Sequence, residues 1–432
     1  MIASAEPVAL STTETKAPLP PARAWLFLGL LVIGYIGIYL CRKNFAVANS
    51  LIREAFHLDR EHIGIVASYS TIAYTIGKFI FGPLIDRFGG RIAFLLSLGA
   101  VAVFGALGGL VNSVAMLSLV YSLNRLAGSA GWGGMVKQVP NWFSGRSISF
   151  AMGILSLGFV FGGVCATLLA GYIAKRSQDN WRWIMGGPSI ALAAILILCW
   201  AILPREPARD RSQLKKTGAA SGSTFWSRFV ELARIRRFWI VCALSFTLTL
   251  LRETFNTWTV DFFKTTGGPS MSNQIAAFLS TPFDALGAVG IVLLGWIFGR
   301  IGTRVRVWLL FGILILLAAL IFLLPTIVLR STLLATVGIG GVGFLAYGPY
   351  SLLAGVLAVE IKGKEYVATS AGIFDGVGYL AAILSGQQFG RIVDVGGYRL
   401  GFNCLAALAA ISAVLCLFLY DWKSGPQQAK DS

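Results

Sequence analysis

Two phenols and a guanidinium share one side of the first apolar stretch. Tyr35, Tyr39 and Arg42 are spaced i, i+4, i+7, which on a helix lines them up along one face. The run begins at Trp25 and, beyond Arg42 and Lys43, meets no further charge until Arg53. A cation that deep in a membrane helix costs roughly 2.5–3.5 kcal/mol on insertion-type scales. Arg42 therefore either meets an anion or pairs with an acidic side chain on another helix and holds helices together. Arg252, in Leu248-Thr249-Leu250-Leu251-Arg252-Glu253-Thr254, takes the same place in the first apolar helix of the second half. One arginine per half at mid-depth suggests a site shared between two repeats. Paired guanidinium forks favour phosphate or carboxylate, which they bind through two parallel donors.

The other charges inside apolar runs point the same way. Lys43, Lys78, Arg125 and Lys137 join the two arginines, against Glu253, Asp284 and Asp375, with Asp261 and Glu360 near helix ends. Pairing every deep acid still leaves a surplus of cations, which is costly unless water or an anion occupies the space between them. A divalent anion suits it best. Lys78 has Tyr74 one turn away on its own face. It touches the anion, pairs with Asp375 across the cavity, or snorkels to the surface. Lys43 points about 100° away from Arg42 on the helical wheel and reads as structural or as part of the pathway. Arg125 and Lys137 fall nearer the expected helix ends and read as structural.

Composition sets the class. The chain has 432 residues, 56% hydrophobic and only 13% charged, about half the charge of an ordinary soluble domain. A net charge of +17 does not imply nucleic acid, because the cations follow the loops. Loops on the side of the termini carry more than twice the Lys and Arg of the opposite loops, the positive-inside pattern. The six cysteines (Cys41, Cys165, Cys199, Cys242, Cys404, Cys416) lie in apolar runs without C-x-x-C spacing and read as small buried apolar residues. His57 and His62 lie in or beside one outer loop, so no histidine metal centre is expected. No Walker A sequence, serine–histidine pair or paired carboxylates support ATP-driven transport or catalysis, and no cofactor is implied.

About 20 apolar residues cross a bilayer. That rule predicts helices at 24–51, 62–84, 92–112, 114–138, 148–174 and 184–203, then 238–264, 273–298, 306–328, 331–357, 368–393 and 400–421. The fold class is an all-α membrane protein of twelve spans in two six-helix halves. Residues 1–23 read as a disordered cytoplasmic tail, 24–203 as the first half, 204–237 as a basic cytoplasmic linker, 238–421 as the second half and 422–432 as a second tail. Both termini are expected in the cytoplasm of a bacterial inner membrane. Nothing in the sequence requires more than a monomer. Gly338-Ile339-Gly340-Gly341-Val342-Gly343 fits G-x-G-x-x-G but sits in an apolar span with no strand before it, so it reads as close helix packing. Gly158/Gly162 and Gly372/Gly376 read likewise.

A repeated loop carries the first family resemblance. Gly82-Pro83-Leu84-Ile85-Asp86-Arg87-Phe88-Gly89-Gly90-Arg91 follows the second span, and Gly295-Trp296-Ile297-Phe298-Gly299-Arg300-Ile301-Gly302-Thr303-Arg304 follows the eighth, every matched pair equally far apart. Its glycines permit a tight turn and its arginines cap helix ends and face the inner surface; Asp86 can also pair across the turn. The chain resembles the major facilitator superfamily, whose signature this loop is, and the resemblance implies parallel six-helix halves around a cavity opening alternately to either side. Within it, Tyr39–Phe45, Gly77-Lys78-Phe79, Gly131-Trp132, Tyr347-Gly348-Pro349, Ala371-Gly372 and Gly378-Tyr379-Leu380 resemble the organophosphate:phosphate antiporters. That family includes the bacterial glycerol-3-phosphate and hexose-6-phosphate exchangers and the endoplasmic glucose-6-phosphate transporter.

The resemblance implies that Arg42 and Arg252 clamp phosphate, with Lys78 and the cavity aromatics Tyr35, Tyr39, Tyr74, Trp132, Tyr347 and Tyr379 around them. Lys43, Glu253, Asp284 and Asp375 are secondary or coupling candidates. The bacterial exchangers' His-Asn pair is Phe159-Val160 here, and a cavity tyrosine one turn before the second arginine is Thr249. The expected function is exchange of an organic phosphate or phosphonate for inorganic phosphate. The alternatives are a sugar-phosphate sensor working with a histidine kinase, or a proton-coupled organic-anion symporter using Asp375, Asp284 or Glu253.

Overall fold

A long apolar run in lipid can satisfy its backbone polar groups only within itself, so it must be helical. Every such run among the described residues is. The computed structural model describes residues 21–143, 146–204, 225–268, 271–298, 300–353 and 367–419, with Leu357 and Ile361. The first tail up to residue 20, most of the linker and the last tail lie outside the described residues, as does Glu360.

The spans are α1 (Pro21–Ala55), α2 (Arg60–Phe88), α3 (Gly90–Gly108), α4 (Val114–Gln138), α5 (Arg146–Arg176) and α6 (Trp181–Ile202). The second half holds α7 (Arg236–Thr266), α8 (Asn273–Phe298), α9 (Thr303–Arg330), α10 (Thr332–Leu352), α11 (Val367–Leu384) and α12 (Gln387–Leu417). A short helix, Phe225–Ala233, precedes α7. α6 and α8 are each interrupted just before Pro188 and Pro282, where the missing N–H and ring sterics break the ladder. Gly397, at φ 67°, divides α12; the last span begins there. Gly89, at φ 92°, is the single residue between α2 and α3, a conformation that favours glycine. Arg91 of the same loop donates to the carbonyls of Trp200 and Leu203, capping α6. The side chains of Asp86 and Arg87 lie outside the description.

Packing follows a two-fold pattern. α2 lies on α4 as α8 lies on α10, α1 on α5 as α7 on α11, and α3 on α6 as α9 on α12. Across the halves α2 meets α11 and α5 meets α8, with α1 beside α7 at the centre. A Cβ on Gly343 would collide with the Phe283 carbonyl, so the G-x-G-x-x-G stretch is where α10 meets α8. The Gly372 reading needs correction. A Cβ there meets nothing within 4 Å, and the residue borders the central cavity. Cys165 and Cys404 are exposed on the outer surface instead of buried, and all six thiols are free.

One buried apolar cluster joins both halves, drawing on the first half only near the face opposite the termini; the rest of that half's core is a separate cluster. The apolar seal between the halves therefore lies at the face opposite the termini, with a small second contact of Tyr74 on Tyr379 and Ala382 nearer the other. Ions reinforce the seal. Asp261 of α7, with a fully buried side chain, receives Arg53 of α1 at 3.0 Å and Arg60 of α2 at 2.9 Å. Tyr398, just past the Gly397 turn, donates to it at 2.6 Å, and Arg60 also reaches Asp394 at 3.6 Å. Removing one partner of such a buried network costs about 3–5 kcal/mol. Asp261→Asn is expected to lower the melting temperature by several degrees. In a background without the six native cysteines, it should also raise labelling of a cysteine at Ser50, buried against Asn273 of the other half. Unchanged labelling would mean the ions do not hold this face shut.

Candidate substrate site

Arg42 and Arg252 come together. α1 and α7 cross at the centre, and the Nη2 atoms of both arginines bind one atom, Glu253 Oε1, at 3.3 Å and 2.7 Å. One carboxylate offsets one of two guanidinium charges, so a positive charge remains. The arginines otherwise rest on aromatic faces, Arg42 on Tyr39 and Tyr74 (5.1 and 4.9 Å to the ring centres) and Arg252 on Tyr350 (4.3 Å). Such contacts stabilise a cation by about 0.5–2 kcal/mol without neutralising it. Arg252 Nε is buried with no hydrogen-bond partner among the described residues.

Around this centre the cavity has two parts. A narrow polar pocket of about 40 Å³ is lined by Arg42, Lys43, Arg125, Arg252, Glu253 and Asp284. Toward the face of the termini lies a wider cavity of about 830 Å³, bordered by Tyr35, Tyr39, Tyr74, Lys78, Trp132 and Tyr379 among others. Tyr35 packs edge-on against Tyr39 and tilted against Trp132, and Tyr74 meets Tyr379 with ring centres 5.0 Å apart.

The lysines both bind acids of the other half. Lys78 Nζ lies 2.5 Å from Asp375 Oδ2 and faces the Tyr379 ring, so of its three readings the pairing across the cavity is the geometry present. Lys43 pairs with Asp284, whose other oxygen accepts from the Tyr347 hydroxyl at 2.7 Å. Tyr347 is therefore held by Asp284 and stacks on Phe159.

Arg125 corrects its sequence reading. Ser113 caps α4 by accepting from the Met116 N–H, which sets Arg125 about 18 Å along the helix at 1.5 Å per residue. It is a mid-depth residue of the pocket, not a helix-end one. Tyr350 was also missed, although it sits one turn from Tyr347. So was Tyr121, whose hydroxyl donates to the Arg42 carbonyl at 2.8 Å.

Comparison with known proteins bears on this arrangement. The model of the Major Facilitator Superfamily matches residues 31–386. The chain belongs to that superfamily. It is a multi-pass membrane transporter, with twelve helices in two repeats. It is 25% identical to a probable hexose phosphate transport protein of Chlamydia pneumoniae, over 91% of this chain and 90% of that one. The same identity relates it to the membrane sensor protein UhpC of Salmonella typhimurium, over 89% of each, and to the glycerol-3-phosphate transporter of Bacillus subtilis, over 96% of each. Among solved structures, an inward-facing, occupied bacterial homologue of the lysosomal transporter Spinster superposes with a TM-score of 0.78 at 16% identity, covering 94% of this chain and 98% of that one. The transporter's relatives are thus of the kinds the sequence resemblance names.

Lys43 and Asp284 supply a stability test independent of substrate. Asp284→Asn strands a buried lysine and is expected to lower the melting temperature clearly, on the scale of about 3–5 kcal/mol. Lys43→Met combined with Asp284→Asn should recover most of it. A double variant no better than the single would mean the pair is not coupled.

Proposed function

We propose that this transporter exchanges an organic phosphate for inorganic phosphate by alternating access. The observation that carries the reading is the convergence of Arg42 and Arg252, one from each half, on a single oxygen. Two guanidiniums aimed at one acceptor suit a tetrahedral dianion. The wider cavity beside them offers aromatic faces and the Lys78–Asp375 pair to the organic part. Similarity to hexose phosphate and glycerol-3-phosphate transporters supports the same substrate class.

Anion binding between the arginines offsets their mutual repulsion, a few kcal/mol for like charges about 4 Å apart at an effective dielectric near 20. Occupancy draws the halves together and lowers the barrier to switching, which favours exchange over leak. In this reading the termini face the cytoplasm of a bacterial inner membrane, 24–203 and 238–421 are the two moving halves, 204–237 links them, and one chain suffices. The cavity then opens inward.

The similarity to a membrane sensor supports a second reading, in which the same site detects an organic phosphate without bulk transport. Counterflow separates them. Proteoliposomes loaded with phosphate are expected to take up labelled phosphate, and Arg42→Lys and Arg252→Lys each to slow it about tenfold or more. Near-normal exchange in both variants removes the clamp; binding with no counterflow in the wild type favours the sensor.

A further inference from the structure

We infer that Glu253 is a built-in rival of the substrate anion, yielding the arginine pair to a phosphoryl group and passing to Arg125 when that group binds. This rests on the reading of Arg42 and Arg252 as the phosphoryl clamp.

Glu253 Oε1 sits where the Nη2 donors of both arginines meet. A phosphoryl oxygen bridging the same donors needs that position, and two anions cannot share it. Space makes the same demand. The pocket measures about 40 Å³, room for roughly three waters, so a phosphoryl group enters only as a side chain withdraws.

The displaced carboxylate has a place to go. Arg125 lines the same pocket and is only 4% exposed. It has no ion-pair partner among the described residues, and its Nε lacks a hydrogen bond. Its neighbour is the Tyr74 ring, 4.8 Å from the guanidinium carbon, a ring that Arg42 also contacts. Lys43 is already engaged by Asp284, which Tyr347 also holds. Outside the clamp itself, Arg125 is the pocket cation that holds no ion pair among the described residues. An incoming group must outbid a carboxylate for the clamp, which a dianionic phosphoryl group does better than a monoanion. Glu253 therefore sets a charge threshold on the substrate.

Titration calorimetry with inorganic phosphate on the purified full-length protein tests this. Glu253→Gln is expected to bind phosphate about tenfold tighter, having lost the rival. Arg125→Gln should weaken binding about tenfold when Glu253 is present, and by less than about twofold in the Glu253→Gln background. Glu253→Asp, one methylene shorter, should tighten binding in the same direction and serves if the glutamine variant does not fold. Unchanged or weaker binding on losing the carboxylate overturns the inference, as does an Arg125 effect equal in both backgrounds. If Arg252→Ala binds phosphate as well as the wild type, the clamp reading itself falls and this inference with it. If binding depends on Arg252 yet ignores Glu253, only the inference falls.

Discussion

The arrangement depends on opposite charges held across the seam between the halves, in a medium that penalises each charge left alone. Burying an ion costs several kcal/mol even after relaxation, and removing one member of a buried pair leaves that penalty uncompensated. Here the partners are divided by half. Arg42, Lys43, Arg53, Arg60 and Lys78 come from the first half, and Glu253, Asp261, Asp284 and Asp375 from the second. Arg252 and Arg391 are exceptions, cations of the second half turned toward the first, Arg391 meeting Glu61 at 3.8 Å. The seam is thus complementary at three depths, and over-positive only at the middle one.

That distribution constrains how the halves can move. In this arrangement the ions at the face opposite the termini and the Lys78–Asp375 pair nearer the termini are formed together. The Asp261 network is buried and multiply bonded. Lys78–Asp375 has side chains 28% and 33% exposed and is weakened by solvent screening. The outer contacts therefore outweigh the inner one, in keeping with an arrangement sealed opposite the termini. The central carboxylate bridges both halves, meeting Arg42 of the first and Arg252 of the second.

Much of the fold was legible because lipid leaves few options. Apolar runs of sufficient length, punctuated by the repeated glycine–arginine loop, give the helices and their two-fold order directly. Arg42 was legible as a charge deep in an apolar run with tyrosines at helical spacing. Its partner was not. Glu253 adjoins Arg252 in sequence, and a one-residue step turns about 100° around a helix, so periodicity places the two on different faces. Only the crossing of α1 and α7 brings a flexible carboxylate to both guanidiniums. Arg125 was misplaced for a simpler reason. The span itself was legible at its observed bounds, 114–138, and Arg125 lies near its middle, so the error was in placing the residue along the helix and not in finding the helix. The missing histidine of the fifth span gave no hint that Phe159 would instead back Tyr347.

Aromatic neighbours explain how surplus charge is tolerated without being cancelled. Tyr74 supports both Arg42 and Arg125, and Tyr350 supports Arg252. Each ring face offers about 0.5–2 kcal/mol, less than the several kcal/mol that desolvation takes from an ion. The rings fix where the guanidiniums lie but leave the deficit in place. Acids in those positions would have closed it, locking the halves together and leaving nothing for an anion to gain. Tyrosine holds the cations in position and leaves their charge available, as the proposed exchange of a dianion requires.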